Sequence, residues 1–337
     1  MDTKLIVPNN YQPTLNLKQT EIAIKTIKDY FERKLAKKLN LLRVSAPLFV
    51  RTNTGLNDNL SGVERPVIFD MKNDSDSNIE IVHSLAKWKR MALKRYNFKI
   101  GEGIYTDMDA IRRDEEFDNT HSIYVDQWDW EKIIDKKERN QEKLKEIVNL
   151  IYGICKDTEE YICDLYDHIE PILPEEIYFI SSKELEGLYP DLSPESRERK
   201  IAKEKKAVFI MEIGRNLESG EPHGMRSPDY DDWDLNGDII FWNPVLNSEF
   251  EISSMGIRVD KESLKEQLKL SNCEDRKTLE YHKLLLQDKL PLTVGGGIGQ
   301  SRLCMFFLRK AHIGEVQSSI WPKWMIEDCN KKNIILL

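Results

Sequence analysis

Strand-like segments in this chain follow one another in groups instead of alternating regularly with helices. Alternating or short apolar runs predict strands at 41–50, 79–84, 122–133, 176–181, 207–214, 237–245, 249–259 and 290–294. A regular alternation of strands and helices would have predicted a parallel sheet. The grouping instead predicts an α+β fold, with a mainly antiparallel β-sheet flanked by helices.

The helical pattern is strongest in two long segments. Apolar residues recur every three or four positions over 17–39 and again over 136–166, which predicts an amphipathic helix in each. We find no internal repeat, low-complexity segment or linker. We therefore expect a single domain over residues 1–337, with residues 1–15 forming a loosely held N-terminal arm.

The composition excludes several classes of protein. The formal net charge is −8, so the chain has no global attraction for nucleic acid. No apolar run approaches the roughly 18 residues that a membrane helix needs. The five cysteines are scattered and form no CxxC pair, and no signal peptide is recognisable. We expect a cytoplasmic protein with reduced thiols, and neither a nucleic-acid nor a membrane partner.

Two motifs could bind phosphate groups. In GGGIGQSR (295–302) the glycines allow close approach of a ligand, and Arg302 could bind a phosphate. The same pattern fits a tight strand-to-helix turn with a surface arginine. In AIRRDEE (110–116), Arg112 or Arg113 could face inward onto a triphosphate, although the motif taken alone favours a solvated turn.

Three other segments carry candidate binding residues. Asp238 and Glu251 lie on neighbouring predicted strands and could hold Mg²⁺ through carboxylate oxygens; a surface ladder of charges is the alternative. VHSLAKWKR (82–90) could bind an anion or form a solvated helix face. TGLNDNLSG (54–62) places Asp58 in a loop where it could orient an amino group, or where it only forms a turn.

The order of these motifs is more informative than any one of them. A long helix precedes a strand near Pro47, an arginine segment follows at Arg112, and a glycine-rich segment with Arg302 comes last. This order resembles the three motifs of class II aminoacyl-tRNA synthetases. The resemblance implies a six- or seven-stranded antiparallel sheet in one catalytic domain. It also implies a homodimer with the first motif at its interface.

Longer sequence blocks show a resemblance to one particular family related to these synthetases. The chain is similar to the ammonia-dependent asparagine synthetase (aspartate–ammonia ligase) family in these blocks: DNLSG (58–62), VHSLAKWKR (82–90), YVDQWDWE (124–131), PDYDDW (228–233), LNGDI (235–239), SSMGIRVD (253–260) and GGGIGQSRL (295–303). The chain departs from the family pattern in a longer N-terminal arm, in Arg113 where proline is expected, and in a short segment between Trp233 and Asn236.

The resemblance implies an ATP-dependent ligase of asparagine biosynthesis that converts L-aspartate and ammonia to L-asparagine. A β-aspartyl-AMP intermediate would form, and AMP and pyrophosphate would be released. ATP is then a co-substrate and Mg²⁺ the cofactor. Because only neutral ammonia has a lone pair, activity should rise toward pH 8–9, near the ammonium pKa of about 9.

The resemblance also implies site residues. For catalysis these are Arg112, Asp58 and Gln127. For aspartate binding they are Asp58, Ser84, Lys89, Gln127, Asp129, Asp232, Ser254 and Arg258. For ATP they are Arg112, Asp238, Glu251, Gly297, Gly299 and Arg302, with Asp238 and Glu251 also as metal ligands. Asp232 has two possible roles, binding the amino group or accepting the proton of ammonia.

Two other functions fit the same motifs. The first is the catalytic core of a tRNA-charging synthetase, although the chain shows no basic anticodon-binding module. The second is an inactive regulatory relative, although Arg112, Glu251 and Arg302 are all present. Glutamine-dependent synthesis is excluded by the absence of an N-terminal cysteine nucleophile, since residue 2 is Asp2.

Overall fold

The strands of the computed structural model confirm most of the predicted segments. The structure describes residues 5–9, 11–60 and 62–337, and the side chains of 75–77 lie outside the description. The strands are β1 (Leu41–Arg43), β2 (Phe49–Arg51), β3 (Ile68–Met71), β4 (Asp74–Ile81), β5 (Gly103–Ile111), β6 (Tyr124–Ile133), β7 (Tyr178–Ser181), β8 (Ala207–Met211), β9 (Asp231–Asn243), β10 (Ser248–Arg258) and β11 (Thr293–Gly299).

The two long helices also lie where the apolar periodicity places them. The helices are α1 (Leu17–Leu39), α2 (Ala86–Arg95), α3 (Gln141–Leu165), α4 (Ser182–Leu188), α5 (Pro194–Lys205), α6 (Lys261–Leu270), α7 (Glu280–Leu286), α8 (Gln300–Phe307) and α9 (Lys323–Lys331). An Asn side chain caps the first turn of both long helices, Asn16 for α1 and Asn140 for α3. The sequence pattern predicts that α3 begins at 136. In the structure a 3₁₀ turn occupies Lys136–Glu138, and the helix begins after its Asn140 cap.

The main sheet is mixed and has eight strands. Its order is β1-β5-β6-β11-β10-β9-β8-β7. The five central pairs are antiparallel, and the two outermost pairs, β1 with β5 and β7 with β8, are parallel. The expected six or seven strands are therefore an underestimate, because a short strand joins each edge in parallel. Grouping along the sequence could not reveal such pairs.

One face of the sheet is covered by the long helices. Phe31 of α1 stacks on Trp128 of β6 with ring centroids 4.9 Å apart, and neither side chain is exposed. Trp130 follows Trp128 on the same face of the strand and is also buried. Since side chains alternate along a strand, Gln127 and Asp129 face the opposite side. The core therefore fixes which side chains of β6 are available to a ligand.

Two segments differ from their predicted conformation. The segment 41–50 is divided into β1 and β2 around Pro47, and β2 joins a separate three-stranded sheet in the order β2-β4-β3. Proline cannot donate a ladder hydrogen bond, which explains the break. The glycines of 295–299 do not form a turn; they continue β11 to its end.

The described part of the N-terminal arm contacts the body of the protein. Tyr11 donates a hydrogen bond to Glu315 at 2.9 Å, and Leu15 is 3% exposed in the main core. Residues 1–4 and 10 lie outside the described residues. In the described ranges, no helix has both the length and the apolar composition of a bilayer span.

Candidate active site

A polar cavity of about 380 Å³ lies on the face of the sheet opposite α1 and α3. Its floor is formed by β6, β11, β10 and β9, and α2 and several loops form its walls. Thirteen of the predicted site residues line it: Asp58, Ser84, Lys89, Arg112, Gln127, Asp129, Asp238, Glu251, Ser254, Arg258, Gly297, Gly299 and Arg302. The structure thus brings together segments that are up to 244 positions apart.

Asp58 is held rigidly at one end of the cavity. Its carboxylate accepts hydrogen bonds from the Ser84 hydroxyl at 3.0 Å and the Tyr230 hydroxyl at 3.1 Å. The residue is 3% exposed, and no cation is bonded to its carboxylate among the described residues. A positioned buried carboxylate without a cationic partner fits a ligand ammonium group.

Lys89 reaches the cavity floor from α2. Its ammonium group contacts Asp129 at 3.0 Å and donates to the carbonyl oxygen of Gly296 at 3.1 Å. Burial lowers the pKa of Lys89, and the charge of Asp129 partly offsets this effect. One of the three N–H donors of Lys89 is left for a ligand.

Arg258 lies in a buried network that the sequence did not reveal. Glu131 on β6 accepts two hydrogen bonds from Arg258, at 3.0 and 2.8 Å, and Asp231 on β9 bonds to the other terminal nitrogen. Burial opposes ionisation of Glu131, but Arg258 holds the pKa of Glu131 below its usual range. Of the five N–H donors of Arg258, some remain available for a ligand carboxylate.

Arg112, and not Arg113, faces the cavity. Arg112 lines it, and its buried Nε atom has no hydrogen-bond partner within the described ranges, whereas Arg113 is exposed to solvent. A buried guanidinium nitrogen without a partner is costly unless a ligand completes it. Of the two residues, Arg112 is therefore the one placed at the cavity.

Arg302 is oriented by His121, a residue that sequence reasoning missed. The Nη2 atom of Arg302 lies 2.8 Å from Nε2 of His121, and Nδ1 of His121 lies 2.9 Å from Asp118. Arginine can only donate, so Nε2 of His121 accepts in this contact and Nδ1 faces the Asp118 carboxylate. Asp118 therefore orients the ring that holds Arg302.

Asp238 and Glu251 form the candidate metal-binding pair. Burial raises the pKa of Asp238 to about 6 although Arg226 opposes the shift, and the nearby charge of Glu251 contributes to the rise. Within the described ranges, no cluster of three or more His, Cys, Asp or Glu side chains could hold a metal ion alone. Two carboxylates fit Mg²⁺ when phosphate oxygens complete its ligand set.

Glycines in β11 make room for the side chains of the floor. A Cβ atom at Gly297 would overlap Oε1 of Gln127 and lie 3.0 Å from Oδ1 of Asp129. A Cβ atom at Gly295 would overlap the Glu131 carboxylate. The glycines of β11 therefore leave the space that side chains of the neighbouring strand β6 occupy, in addition to any space that a ligand needs.

The structure places Asp232 outside the cavity, which corrects its predicted role. Its side chain is 4% exposed and forms an ion pair with Arg139, and it also accepts a hydrogen bond from the backbone of Asp234. Its neighbour Asp231 lines the cavity instead. Adjacent residues of a strand point to opposite faces of the sheet. Both residues belong to β9, so when the side chain of Asp231 faces the cavity, that of Asp232 faces away from it.

The basic helix α2 is not a solvated face. Lys87, Lys89 and Arg90 are each 1% exposed. Lys87 bonds to Asp229 at 3.1 Å, and Asp229 also bonds to His282 at 3.0 Å and Arg276 at 3.1 Å. Asp229 is fully buried and joins α2 to the segment that carries Tyr230 and Asp231. It therefore supports the cavity wall from behind.

Replacing Asp229 by asparagine should destabilise the fold by about 3–5 kcal/mol at pH 7, because Lys87 would be left buried without a counter-charge. Burial opposes ionisation, but Lys87 and His282 hold the pKa of Asp229 far below its usual range. Its contribution is therefore complete above the unfolded pKa of about 3.9 and is lost as the pH falls below it.

Urea unfolding between pH 7 and pH 3 would measure both effects. Asp234→Asn is the matched control, since Asp234 pairs with Arg215 at the surface and its side chain is 56% exposed. That control should change the free energy of unfolding by at most about 1 kcal/mol. Equal losses in the two variants would contradict a structural role for Asp229.

The fold defines a class of protein. The asparaginyl-tRNA synthetase of Pyrococcus horikoshii in complex with asparaginyl-adenylate superposes with a TM-score of 0.66 at 16% identity, over 90% of this chain and 70% of that chain. The asparaginyl-tRNA synthetase of Entamoeba histolytica gives 0.65 at 13% identity, over 89% and 67%. The chain therefore has the class II aminoacyl-tRNA synthetase fold.

Sequence comparison identifies the family within this class. The family profile of aspartate–ammonia ligases matches residues 18–333. The aspartate–ammonia ligase of Clostridium tetani is 66% identical over 334 residues, 99% of this chain and 98% of that protein. The aspartate–ammonia ligase of Fusobacterium nucleatum is 62% identical over 327 residues, 97% and 99%. The chain belongs to the aspartate–ammonia ligase family and is an enzyme.

Proposed function

We propose that the enzyme converts L-aspartate and ammonia to L-asparagine with ATP, through a β-aspartyl-AMP intermediate. The observation that carries this proposal is a single cavity holding Asp58, Lys89 and Arg258 at one end and Arg112 and Arg302 at the other. The first group suits an amino acid with an ammonium group and two carboxylates. The second group suits a polyphosphate. Both substrates then meet over the floor of β6 and β11.

In the first step, the β-carboxylate oxygen of aspartate attacks the α-phosphorus of ATP, and pyrophosphate leaves. Two anions must approach each other, so cationic side chains are needed on both sides of the reacting atoms. Lys89 and Arg258 hold the carboxylates of aspartate, and Asp58 holds its ammonium group. Arg112 binds the α-phosphate, and Arg302 binds nearer the pyrophosphate and adenine.

In the second step, ammonia attacks the acyl carbon, AMP leaves with the electrons of the acyl–oxygen bond, and a proton is lost to solvent. Gln127 suits this stage because its neutral amide can bond the acyl phosphate without adding charge. The hydrogen-bond donors on the cavity floor are already in place, so they need not reorient as negative charge develops on the phosphate of AMP. In the earlier adenylation step, Asp238 and Glu251 would hold Mg²⁺, which would neutralise charge on the departing pyrophosphate.

Exchange of labelled pyrophosphate into ATP tests the adenylate directly. We expect exchange that requires aspartate and proceeds without ammonia, since the first step is reversible. Asparagine formation without any such exchange would contradict a free adenylate intermediate. Exchange that requires tRNA would favour the synthetase function, but the cavity offers no basic surface for nucleic acid beyond its own five cations.

Asparagine formation should increase about tenfold for each pH unit below the ammonium pKa of about 9 and then level off. The reason is that the neutral fraction of a fixed total of ammonia rises in this way. Initial rates at subsaturating ammonium chloride between pH 6.5 and 9.5 would measure the profile. The aspartate-dependent exchange reaction is the control, since it uses no ammonia, and a parallel rise in both reactions would contradict this explanation.

We also propose a cytoplasmic homodimer with the catalytic domain spanning the chain. Phe49 of β2 and Phe69 of β3 form an exposed apolar cluster on one face of the three-stranded sheet; they are 47 and 37% exposed, and their ring centroids are 5.5 Å apart. Such a cluster is typical of an interface. Sedimentation should give about twice the chain mass of 39.5 kDa. Phe69→Asp should shift it toward the monomer, and a wild-type monomer at micromolar concentration would contradict the proposal.

The five cysteines are all free, two of them partly exposed and three buried. Burial raises the pKa of Cys155 and Cys304, so these thiols stay protonated. Free thiols are typical of a reducing compartment, which supports the cytoplasmic location.

A further inference from the structure

A row of alternating charges crosses the cavity floor from the nucleotide end to the amino-acid end. It consists of Asp238, Arg226, Asp231, Arg258 and Glu131. Each member contacts the next, and each side chain is at most 16% exposed. Arg226, in the loop between β8 and β9, is the one member whose role follows neither from the motifs nor from the proposed function.

Arg226 is bound mainly to the nucleotide end. Its Nη1 atom donates to Asp238 at 3.0 Å and to Ser254 at 2.6 Å, and its Nη2 atom donates to the Gly237 carbonyl oxygen at 3.2 Å. Toward the amino-acid end it forms only a weak contact, 3.4 Å from Nε to Asp231. That Nε atom is buried and has no hydrogen-bond partner in the described part of the chain. Arg226 can therefore gain a hydrogen bond by moving toward Asp231.

Arg226 and a divalent cation would compete for the same carboxylate. The ligand set proposed for Mg²⁺ includes Asp238, which Arg226 already neutralises. Mg²⁺ and the guanidinium bound to the same carboxylate would place two positive charges close together, and their repulsion would weaken the contact of Arg226 with Asp238. Binding of the Mg²⁺–nucleotide complex would thus shift the guanidinium toward Asp231, whose carboxylate lies 3.4 Å from Nε and also bonds to Arg258.

We infer that Arg226 is a positioning residue that couples the two ends of the cavity, so that the nucleotide complex strengthens aspartate binding. This inference rests on the proposed function. When Arg226 pairs with Asp231, that carboxylate neutralises Arg258 less completely. Arg258 then attracts the substrate carboxylate more strongly. Because linkage is reciprocal, aspartate strengthens nucleotide binding by the same factor.

Calorimetric titration of aspartate measures this coupling without turnover. The probe is Mg²⁺ with α,β-methylene-ATP, whose α–β linkage cannot be cleaved. For the wild-type protein we expect the Kd of aspartate to fall at least about fivefold when the probe is saturating, the lower end of typical coupling between sites. The reverse titration should give the same ratio.

Three variants separate coupling from general damage. Arg226→Gln removes the charge, and the ratio of the two Kd values should fall to about one. Arg226→Lys keeps the charge, but a single ammonium cannot span Asp238 and Asp231, so its ratio should also fall to about one. Arg215→Gln is the control: Arg215 likewise pairs with two carboxylates, Asp234 and Glu266, but lies outside the cavity, so its ratio should match the wild type.

The outcomes are distinguishable. A wild-type ratio near one, with both ligands bound, overturns the coupling and leaves the proposed function intact. No binding of either ligand by a folded wild-type protein overturns the proposed function itself. A wild-type ratio retained in Arg226→Gln assigns the coupling to other residues and overturns the role of Arg226. If circular dichroism shows that Arg226→Gln does not fold, Arg226→Lys decides by the same criterion.

Discussion

Replacing Arg112 by glutamine should lower kcat/KM for asparagine formation by about 10²–10³-fold, the typical effect of removing one donor aimed at developing charge. Arg112 lines the cavity, and its buried Nε atom has no partner among the residues that the structure describes. A ligand phosphate would supply that partner. Steady-state kinetics with ATP as the varied substrate would measure the change.

Arg113→Gln is the matched control for this variant. Arg113 is the next residue, carries the same charge and is exposed outside the cavity. Its replacement should change kcat/KM less than about twofold. Similar losses in both variants would show that net charge near the opening matters, and would remove Arg112 from direct contact with the nucleotide.

Replacing Gly297 by alanine should reduce kcat about 100-fold with little effect on stability. The new Cβ atom would overlap Oε1 of Gln127 and press on Asp129, so the Gln127 side chain must move by roughly 1 Å and Asp129 by a few tenths of an ångström. A displacement of this size in a catalytic group can cost 10²-fold in rate. The amide group of Gln127 lies at the end of a flexible side chain and can move aside, so the fold itself should tolerate the change.

Gly153→Ala controls for the loss of a glycine as such. Gly153 lies in α3, and a Cβ atom there would meet no atom within 4 Å. That variant should retain full activity and gain about 0.5–1 kcal/mol in stability, since glycine is unfavourable within a helix. Thermal unfolding and initial rates would measure both variants. Full activity of Gly297→Ala would contradict the roles proposed for Gln127 and Asp129.

The sequence predicted those parts of the molecule that depend on local periodicity. The apolar spacing of α1 gave both of its ends, and alternation in β6 gave the opposite orientations of Gln127 and Trp128. The same alternation, continued by two residues, would have placed Glu131 beside Asp129. The alternation gives the face of Glu131 but not its contact with Arg258, which lies 127 positions further along the chain.

Other features depend on contacts between distant segments, which no local pattern contains. The choice between Asp231 and Asp232 is decided by where β9 begins and by its register with Arg258. Lys87 and Arg90 belong to a basic run that usually marks a solvated helix face, yet buried acceptors hold both. Arg226 and His121 lie in loops, and their contacts become visible only when the loops are folded over the sheet.

One assay tests the central claim most directly. The protein would be incubated with L-aspartate, Mg²⁺–ATP and ammonium chloride at pH 8, and asparagine, AMP and pyrophosphate would be measured. Parallel reactions would omit ammonia, or replace it with glutamine or with tRNA. We expect asparagine and AMP in a one-to-one ratio, formed only when ammonia is present. Formation of ADP in place of AMP would contradict adenylation and, with it, the roles of Arg112 and Arg302.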